Sequence, residues 1–304
     1  MDSLKIAAVI VTYNRSEMLK SNLLSLESQG VLDIFIIDND SSDDTQKVVS
    51  DFSNNSKNKV FYKNSGGNLG GAGGFNLGCQ IALDSGNGYT HLWLADDDVT
   101  FHKDCLKQLK VFIDDKTILQ PMRFDKLGNN VEASAINIDL SSIFILNHKR
   151  NSVLKTCYAY YNTPFDIQNI PFEGPLIPTQ IFYKIGLPDH RYFIFSDDLD
   201  FSLKSLNNGF SIKCIPLAKM TRLKPVEPNY QLKDWKSYFV YRNFFHIQKT
   251  FGTNTWVRHR PYLMASMISL YCILSLNFKG LGILKDALLD GMSTEFRLNN
   301  KYIP

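Results

Sequence analysis

Long apolar runs, paired cysteines and a strong charge of one sign are all missing from this sequence. The most apolar stretch, Tyr262 to Leu276, covers about 15 residues, short of the ~20 that a membrane-spanning helix needs. A buried or interfacial helix is the expectation there. The cysteines (Cys79, Cys105, Cys157, Cys214 and Cys272) are odd in number and never form a C-x-x-C pair. That speaks against a disulfide framework or a zinc knuckle and for a reduced compartment. A formal net charge of +3 is too small to mark nucleic acid as a partner. Met1-Asp2-Ser3-Leu4-Lys5 leads straight into a strand-like segment, so no secretory signal is expected. His91, His102, His190, His246 and His259 share no metal-site spacing, and only His246 is a candidate remote ligand. There is no internal repeat. What remains is ordinary globular content, 304 residues with 44% hydrophobic and 21% charged. That suffices for one large α/β domain with extensions, or two smaller domains.

The stretch His91-Leu92-Trp93-Leu94-Ala95-Asp96-Asp97-Asp98-Val99 stands out. An apolar run that reads as a buried strand ends in three carboxylates. Adjacent anions repel one another unless something compensates them. An oxygen-liganded Mg²⁺ or Mn²⁺ carrying a diphosphate is one compensator; a solvated turn or a helix N-cap is the plainer alternative. Upstream, Ile6–Thr12, Ile34–Ile37 and Val60–Tyr62 read as strands. They are separated by helices through Leu19–Leu26, with Ser16 as cap, and after Ser41–Thr45. This βαβαβ order predicts a parallel sheet with right-handed crossovers. In such sheets ligands gather at the carboxyl ends of the strands.

Six glycines lie between Gly66 and Gly74, ahead of a helix through Gln80, Ile81 and Leu83. Such an entry can bind an anion through free N–H groups, though a flexible loop explains it equally. It fits neither the P-loop nor the dinucleotide pattern. After the triple acid, a helix is expected from Cys105 to Phe112. Strand-like pieces follow at Ser142–Leu146 and Thr156–Tyr161, then a Pro-rich connection over 170–178. A second acid cluster ends Arg191-Tyr192-Phe193-Ile194-Phe195-Ser196-Asp197-Asp198-Leu199-Asp200. Here an aromatic strand is expected to feed a helix that closes at Asn208-Gly209. Carboxylates at a helix start are favoured by the dipole, which accounts for Asp197; Asp198 also suits a base that accepts a hydroxyl proton. Ile212–Leu217 predicts one more strand, and Asp234–Phe251 an aromatic-rich helix.

Five stretches together resemble the inverting, family-two nucleotide-sugar glycosyltransferases of the GT-A fold, and within them the bacterial galactofuranosyltransferases. They are Thr12-Tyr13-Asn14-Arg15, Asn68 to Phe75, Leu94 to Asp98, Phe193 to Asp200, and Asp234 to Asn243. The fold class implied is α/β, a Rossmann-like, mostly parallel sheet flanked by helices, with a helical C-terminal extension. The implied layout is a core over residues 1–225, with a nucleotide-sugar half to about 118 and an acceptor half from 119, then a helical region over 226–304. The resemblance implies donor contacts from Thr12, Tyr13, Arg15, Asp38, Asn39, Asn68, Gly70, Gly71, Asp96 and Asp97; Arg222 is a further donor-side candidate. It implies Asp96 and Asp98 as ligands of Mn²⁺ or Mg²⁺, Asp198 as catalytic base, and Asp197 and Glu173 on the acceptor side.

Two departures from the relatives stand out. Arg222 stands where they carry a metal-binding histidine; an arginine cannot ligate the metal, but it can neutralise phosphate, unless it simply faces solvent. Phe172 and Glu173 stand where galactan-building relatives carry a tryptophan pair. Glu173 then either hydrogen-bonds acceptor hydroxyls or forms a structural ion pair. Beyond the core, Arg258-His259-Arg260 precedes the apolar run, and Lys279 and Lys285 follow it. This suits a membrane surface carrying anionic and polyprenyl-linked lipids; a core or dimer helix is the alternative. The expected protein is a cytoplasmic enzyme at the inner face of the cell membrane. It takes UDP-galactofuranose as donor and a lipid-linked saccharide as acceptor in cell-surface polysaccharide synthesis, binds no nucleic acid, and is compatible with homo-oligomers. A dTDP-sugar rhamnosyltransferase, a nucleotidyltransferase and an inactive carbohydrate-binding subunit are the rivals.

Overall fold

Ile6–Thr12 is β-branched and apolar throughout, and all seven residues are buried as the strand β1. The computed structural model describes residues 4–30, 32–144, 149–156, 162–225 and 232–304. After β1 come α1 (Ser16–Glu27), β2 (Asp33–Asp38), α2 (Thr45–Asn55), β3 (Lys59–Asn64), α3 (Gly70–Asp84) and β4 (His91–Asp96). Then follow β5 (Val99–Phe101), α4 (Cys105–Lys110), β6 (Thr117–Phe124), β7 (Ala135–Ile138), β8 (Lys149–Ser152), α5 (Val153–Thr156) and β9 (Phe165–Asp166). β10 (Leu176–Pro178), α6 (Thr179–Ile185), α7 (Asp197–Asn207) and β11 (Ser211–Arg222) complete the sheet region. The helices α8 (Trp235–Phe251), α9 (Thr255–Leu274) and α10 (Phe278–Met292) come last.

The main sheet runs β3-β2-β1-β4-β10-β6-β11-β5, with β9 on β11. β3, β2, β1 and β4 are mutually parallel, β6 pairs parallel with β11, and β10 lies antiparallel between β4 and β6. Both faces are covered, which is why the strands are apolar without alternation. Val9, Phe35 and Leu94 face α3 through Phe75 and Cys79. Ala8, Ile34 and Trp93 face α1 and α4 through Leu19, Leu23 and Leu106. Strand order reverses beside β1, whose neighbours are β2 and β4. Their ends align in register, with Thr12 opposite Asp38 and Val11 opposite Asp96. The polar residues closing these strands therefore converge at a topological switch point.

Four expectations about elements change. Tyr192–Ser196 is not a strand: Phe193, Phe195 and Ser196 have φ of 62, 68 and 64°, incompatible with a pleated chain. Ser16 does not cap α1; Arg15 holds that position, and Ser16 N–H donates to Asp43 Oδ2 at 2.9 Å. α4 stops at Lys110, leaving Val111 and Phe112 exposed. Ser142–Phe144 forms no strand, and Thr156 ends α5. Ile145, Leu146 and residues 157–161, Cys157 among them, lie outside the described residues.

Gly78 marks how closely α3 approaches the sheet. A Cβ there would sit 2.5 Å from Val9 Cγ1 and 2.9 Å from Ile37 Cγ1. Gly78→Ala gains about 1 kcal/mol of helix propensity but forces an overpacking that typically costs about 1–3 kcal/mol. A net loss of stability is expected in urea unfolding. A midpoint at or above that of the wild type would show that α3 can lift off the sheet at little cost.

Candidate active site

The first acid cluster is a turn pinned on all sides. Asn22, buried in α1, donates through Nδ2 to Asp96 O at 3.1 Å and Val99 O at 2.9 Å, bracketing Asp97 and Asp98. Asp97 accepts from Thr12 Oγ1 at 2.8 Å, Tyr13 N–H at 3.3 Å and Arg15 Nη1 at 2.8 Å. Arg15 Nη1 also reaches Asp98 Oδ2 at 3.2 Å. Asp98 Oδ1 is buried and has no hydrogen-bond partner. Burial drives all three carboxyls above the usual carboxylate range. Repulsion from Asp98 and Glu173 adds to this at Asp96, and from Glu173 at Asp98, while Arg15 opposes it at each. A hard cation with oxygen ligands fits the unpartnered Oδ1 and the neighbouring Asp96. Among the described residues no group of three or more His, Cys, Asp or Glu side chains forms a self-sufficient metal cage.

The second cluster opens α7. Asp197 is buried, and burial together with Asp198 pushes its carboxyl up to about 8. Asp198 is half-buried, and its Oδ1 accepts Leu199 N–H at 2.6 Å. Asp200 is not part of the site: it pairs with Lys204 at 2.6 Å and accepts from Tyr192 Oη at 3.1 Å.

Both clusters face one cavity of about 310 Å³. Asp96, Asp98, Glu173, Asp197 and Asp198 line it, against Arg15, Arg222, Lys224 and Lys236. Gly71 lies in the wall with open space where a side chain would be. Arg222 ends β11 and does not project freely into solvent; its Nη2 is 3.6 Å from Glu173 Oε1. Glu173 is buried and also accepts from Arg123 Nη1 at 2.9 Å, while Arg123 binds Glu132 through Nε at 2.9 Å and Nη2 at 3.0 Å. Those arginines hold the Glu173 carboxyl below its usual range against the push of burial.

The other predicted positions lie around this cavity rather than in its wall. Thr12 is buried under Asp97, and Tyr13 is exposed. Asp38 is buried and accepts from Ser41 N–H and Tyr62 Oη. Asn39 donates to Gly70 O at 3.0 Å, and Asn68 Oδ1 accepts Gly70 N–H at 2.9 Å, so both shape the glycine loop. His246 does not join the acids; it stacks on Phe296 at 3.7 Å, and burial lowers it to about 4. Sequence reading passed over Asn22, Arg123, Glu132 and Lys236. Asn22 carries a weak signal, a lone amide among the buried leucines of α1; Arg123 and Glu132 carry none.

Residues 7–170 match the family profile "Glycosyl transferase family 2". The chain belongs to that family. It is 28% identical over 254 residues to galactofuranosyltransferase GlfT1 of Mycobacterium tuberculosis, covering 78% of this chain and 79% of the relative. The fold is that of the GT-A enzymes. Staphylococcus aureus TarS 1–349 in complex with UDP-GlcNAc superposes with a TM-score of 0.59 at 17% identity, over 95% of this chain and 82% of that one. The mannosyltransferase PcManGT of Pyrobaculum calidifontis, in complex with GDP-Man and Mn²⁺, superposes with a TM-score of 0.57 at 12% identity, over 95% and 87%.

Asp197 sets a pH dependence for this family-two protein. Its carboxyl is raised on folding, so the stability it contributes is complete below about pH 4 and lost as pH rises to about 8. Asp197→Asn removes the titration, and the decline in unfolding free energy from pH 4 to 8 should become shallower by up to about 1.4 kcal/mol per pH unit. Urea titrations at four pH values measure this; parallel slopes for variant and wild type would contradict it.

Proposed function

We propose that this glycosyltransferase is an inverting galactofuranosyltransferase, using UDP-galactofuranose as donor and a lipid-linked saccharide as acceptor. The observation that carries the reading is the meeting of two acid clusters from distant parts of the chain in one cavity. One cluster offers a buried carboxylate oxygen with no partner. The other offers a half-exposed carboxylate at a helix start. The catalytic core is taken as residues 1–225, with 226–304 as a helical region packed onto it.

In this reading Asp198 accepts the proton of an acceptor hydroxyl. That oxygen attacks the anomeric carbon from the face opposite the diphosphate, the bond to the diphosphate breaks, and configuration inverts. Asp96 and Asp98 would hold Mn²⁺ or Mg²⁺, which supplies charge neutralisation to the departing diphosphate. Arg15 keeps Asp97 and Asp98 in place, and Arg222 places a fixed positive charge on the same cavity. Asn68 and the glycine loop border the donor, with Asp38 and Asn39 behind them. Asp197, protonated at neutral pH, can donate a hydrogen bond to the acceptor. Glu173 acts on the acceptor side by fixing Arg222. No covalent enzyme intermediate is needed.

A panel of nucleotide sugars assayed with Mn²⁺, Mg²⁺ or EDTA tests this directly. Turnover of UDP-galactofuranose is expected, with Asp198→Asn losing transfer by at least about 10²-fold. Turnover of dTDP-rhamnose alone would instead assign a rhamnosyltransferase. Full activity in EDTA would remove the metal and leave Arg222 as the phosphate-neutralising group.

We also infer that the protein works at an anionic membrane surface. Among the described residues no helix is long and apolar enough to cross a membrane. α9 nevertheless exposes Leu263, Met267, Leu270, Tyr271 and Leu274 along one stripe. It contains no Asp or Glu, and exposed Arg258, His259, Lys279 and Lys285 flank the stripe. An apolar strip flanked by basic groups on its own helix and on α10 suits an interface with acidic headgroups. Co-flotation with vesicles containing phosphatidylglycerol is expected at low salt, and Met267→Glu/Leu270→Glu should abolish it. Wild-type protein left at the bottom of the gradient would refute membrane contact.

A further inference from the structure

The stretch ending in Arg242-Asn243 has no role in the chemistry above, yet both side chains are fully buried. Asn243 Nδ2, with two hydrogens to give, lies 3.1 Å from Tyr192 O, 2.8 Å from Ile194 O and 2.8 Å from Phe195 O. Its Oδ1 accepts from Arg242 Nη1 at 2.8 Å, and the same nitrogen donates to Arg191 O at 3.0 Å. Arg242 Nη2 donates to Arg297 O at 2.7 Å, and the guanidinium lies 3.8 Å from the Phe296 ring centre. The chain these groups hold is the one with Phe193, Phe195 and Ser196 at positive φ. Non-glycine residues reach that region at a cost and persist there only when their surroundings enforce it. Ser196 also starts α7 as a left-handed N-cap whose side chain makes no capping hydrogen bond, whereas N-caps normally adopt β-region dihedrals. Asp197 and Asp198 follow immediately, so the direction in which Asp198 enters the cavity is set by this turn.

We infer that Asn243 is a positioning residue: from α8 it clamps the left-handed turn 193–196 and thereby aims Asp198 at the acceptor hydroxyl. This rests on the assignment of Asp198 as base. Asn243 does not line the cavity, so its loss should act on turnover and not on nucleotide affinity.

The test uses full-length protein with UDP-galactofuranose, or the nucleotide sugar the panel identifies, and an octyl galactofuranoside acceptor. Asn243→Ala should lower transfer kcat by about 10²-fold while the UDP dissociation constant stays within about twofold. Ser196→Gly added to that variant should restore about tenfold of the loss, because glycine takes positive φ without penalty. Ser196→Val, which leaves α8 untouched, disfavours the same dihedrals and should lower kcat by about tenfold, so the idea stays testable even if Asn243→Ala does not fold. Transfer within about threefold of wild type in Asn243→Ala or Ser196→Val, or a loss that Ser196→Gly leaves unchanged, overturns the clamp. Asp198→Asn run alongside separates the two claims. Full transfer in Asp198→Asn refutes the base; loss there with full transfer in Asn243→Ala refutes only the clamp.

Discussion

Three consecutive carboxylates at the end of β4 repel one another, and they can be held together only if the surrounding chain compensates them. Two like charges 4 Å apart cost about 4 kcal/mol at the effective dielectric near a protein surface. Arg15 offsets part of this by reaching Asp97 and Asp98 from the end of β1. Thr12 and Tyr13 saturate Asp97. Asp98 Oδ1 is left with a buried lone pair and no donor. The backbone of the turn is held separately, by the β1–β4 ladder, by Asn22 beneath it, and by the hydrogen bond from Leu223 N–H to Asp98 O at 2.7 Å that ties in the end of β11.

A second wall of the cavity carries a balanced buried set, two arginines and two glutamates. Arg123 and Arg222 both approach Glu173, and Glu132 takes the other edge of Arg123. Removing one member of such a buried set would strand an uncompensated charge. Glu173 is held by Arg123 and in turn lies 3.6 Å from Arg222, which fixes the end of β11 beside the cavity. The result is a cavity lined by both signs of charge, with Arg15 paired to Asp98 and Arg222 to Glu173.

Much of the fold was legible because the parallel strands are buried on both faces and spell themselves out as Ile6–Thr12, Ile34–Ile37 and Leu92–Ala95. Their polar ends could be placed at one sheet edge from topology alone. What stayed hidden shares a cause: contacts distant in sequence. Arg123–Glu173 and Asn243–Phe195 join residues about fifty positions apart, and nothing local marks either partner. The aromatic run Tyr192–Phe195 misled for the same reason. Its composition favours a strand, but three carbonyls captured by one distant amide override that propensity. Ser16 failed as a cap because Asp43, in the loop ahead of α2, supplies the acceptor.

The glycine-rich entry to α3 shows how one segment can join the two sides. Its composition suggests anion binding, and Gly71 is free to serve that end. The neighbouring glycines do something else. A Cβ at Gly70 would lie 2.1 Å from Phe193 O, and one at Gly74 would lie 2.5 Å from Val11 Cγ1. Ala72 N–H donates to Phe193 O at 3.1 Å. The first turns of α3 thus touch both the end of β1, which fixes the first acid cluster, and the left-handed turn that leads to the second. Any side chain larger than hydrogen at Gly70 would push that turn away from α3. The distance between the two acid clusters is therefore set by how closely a glycine backbone lets them approach.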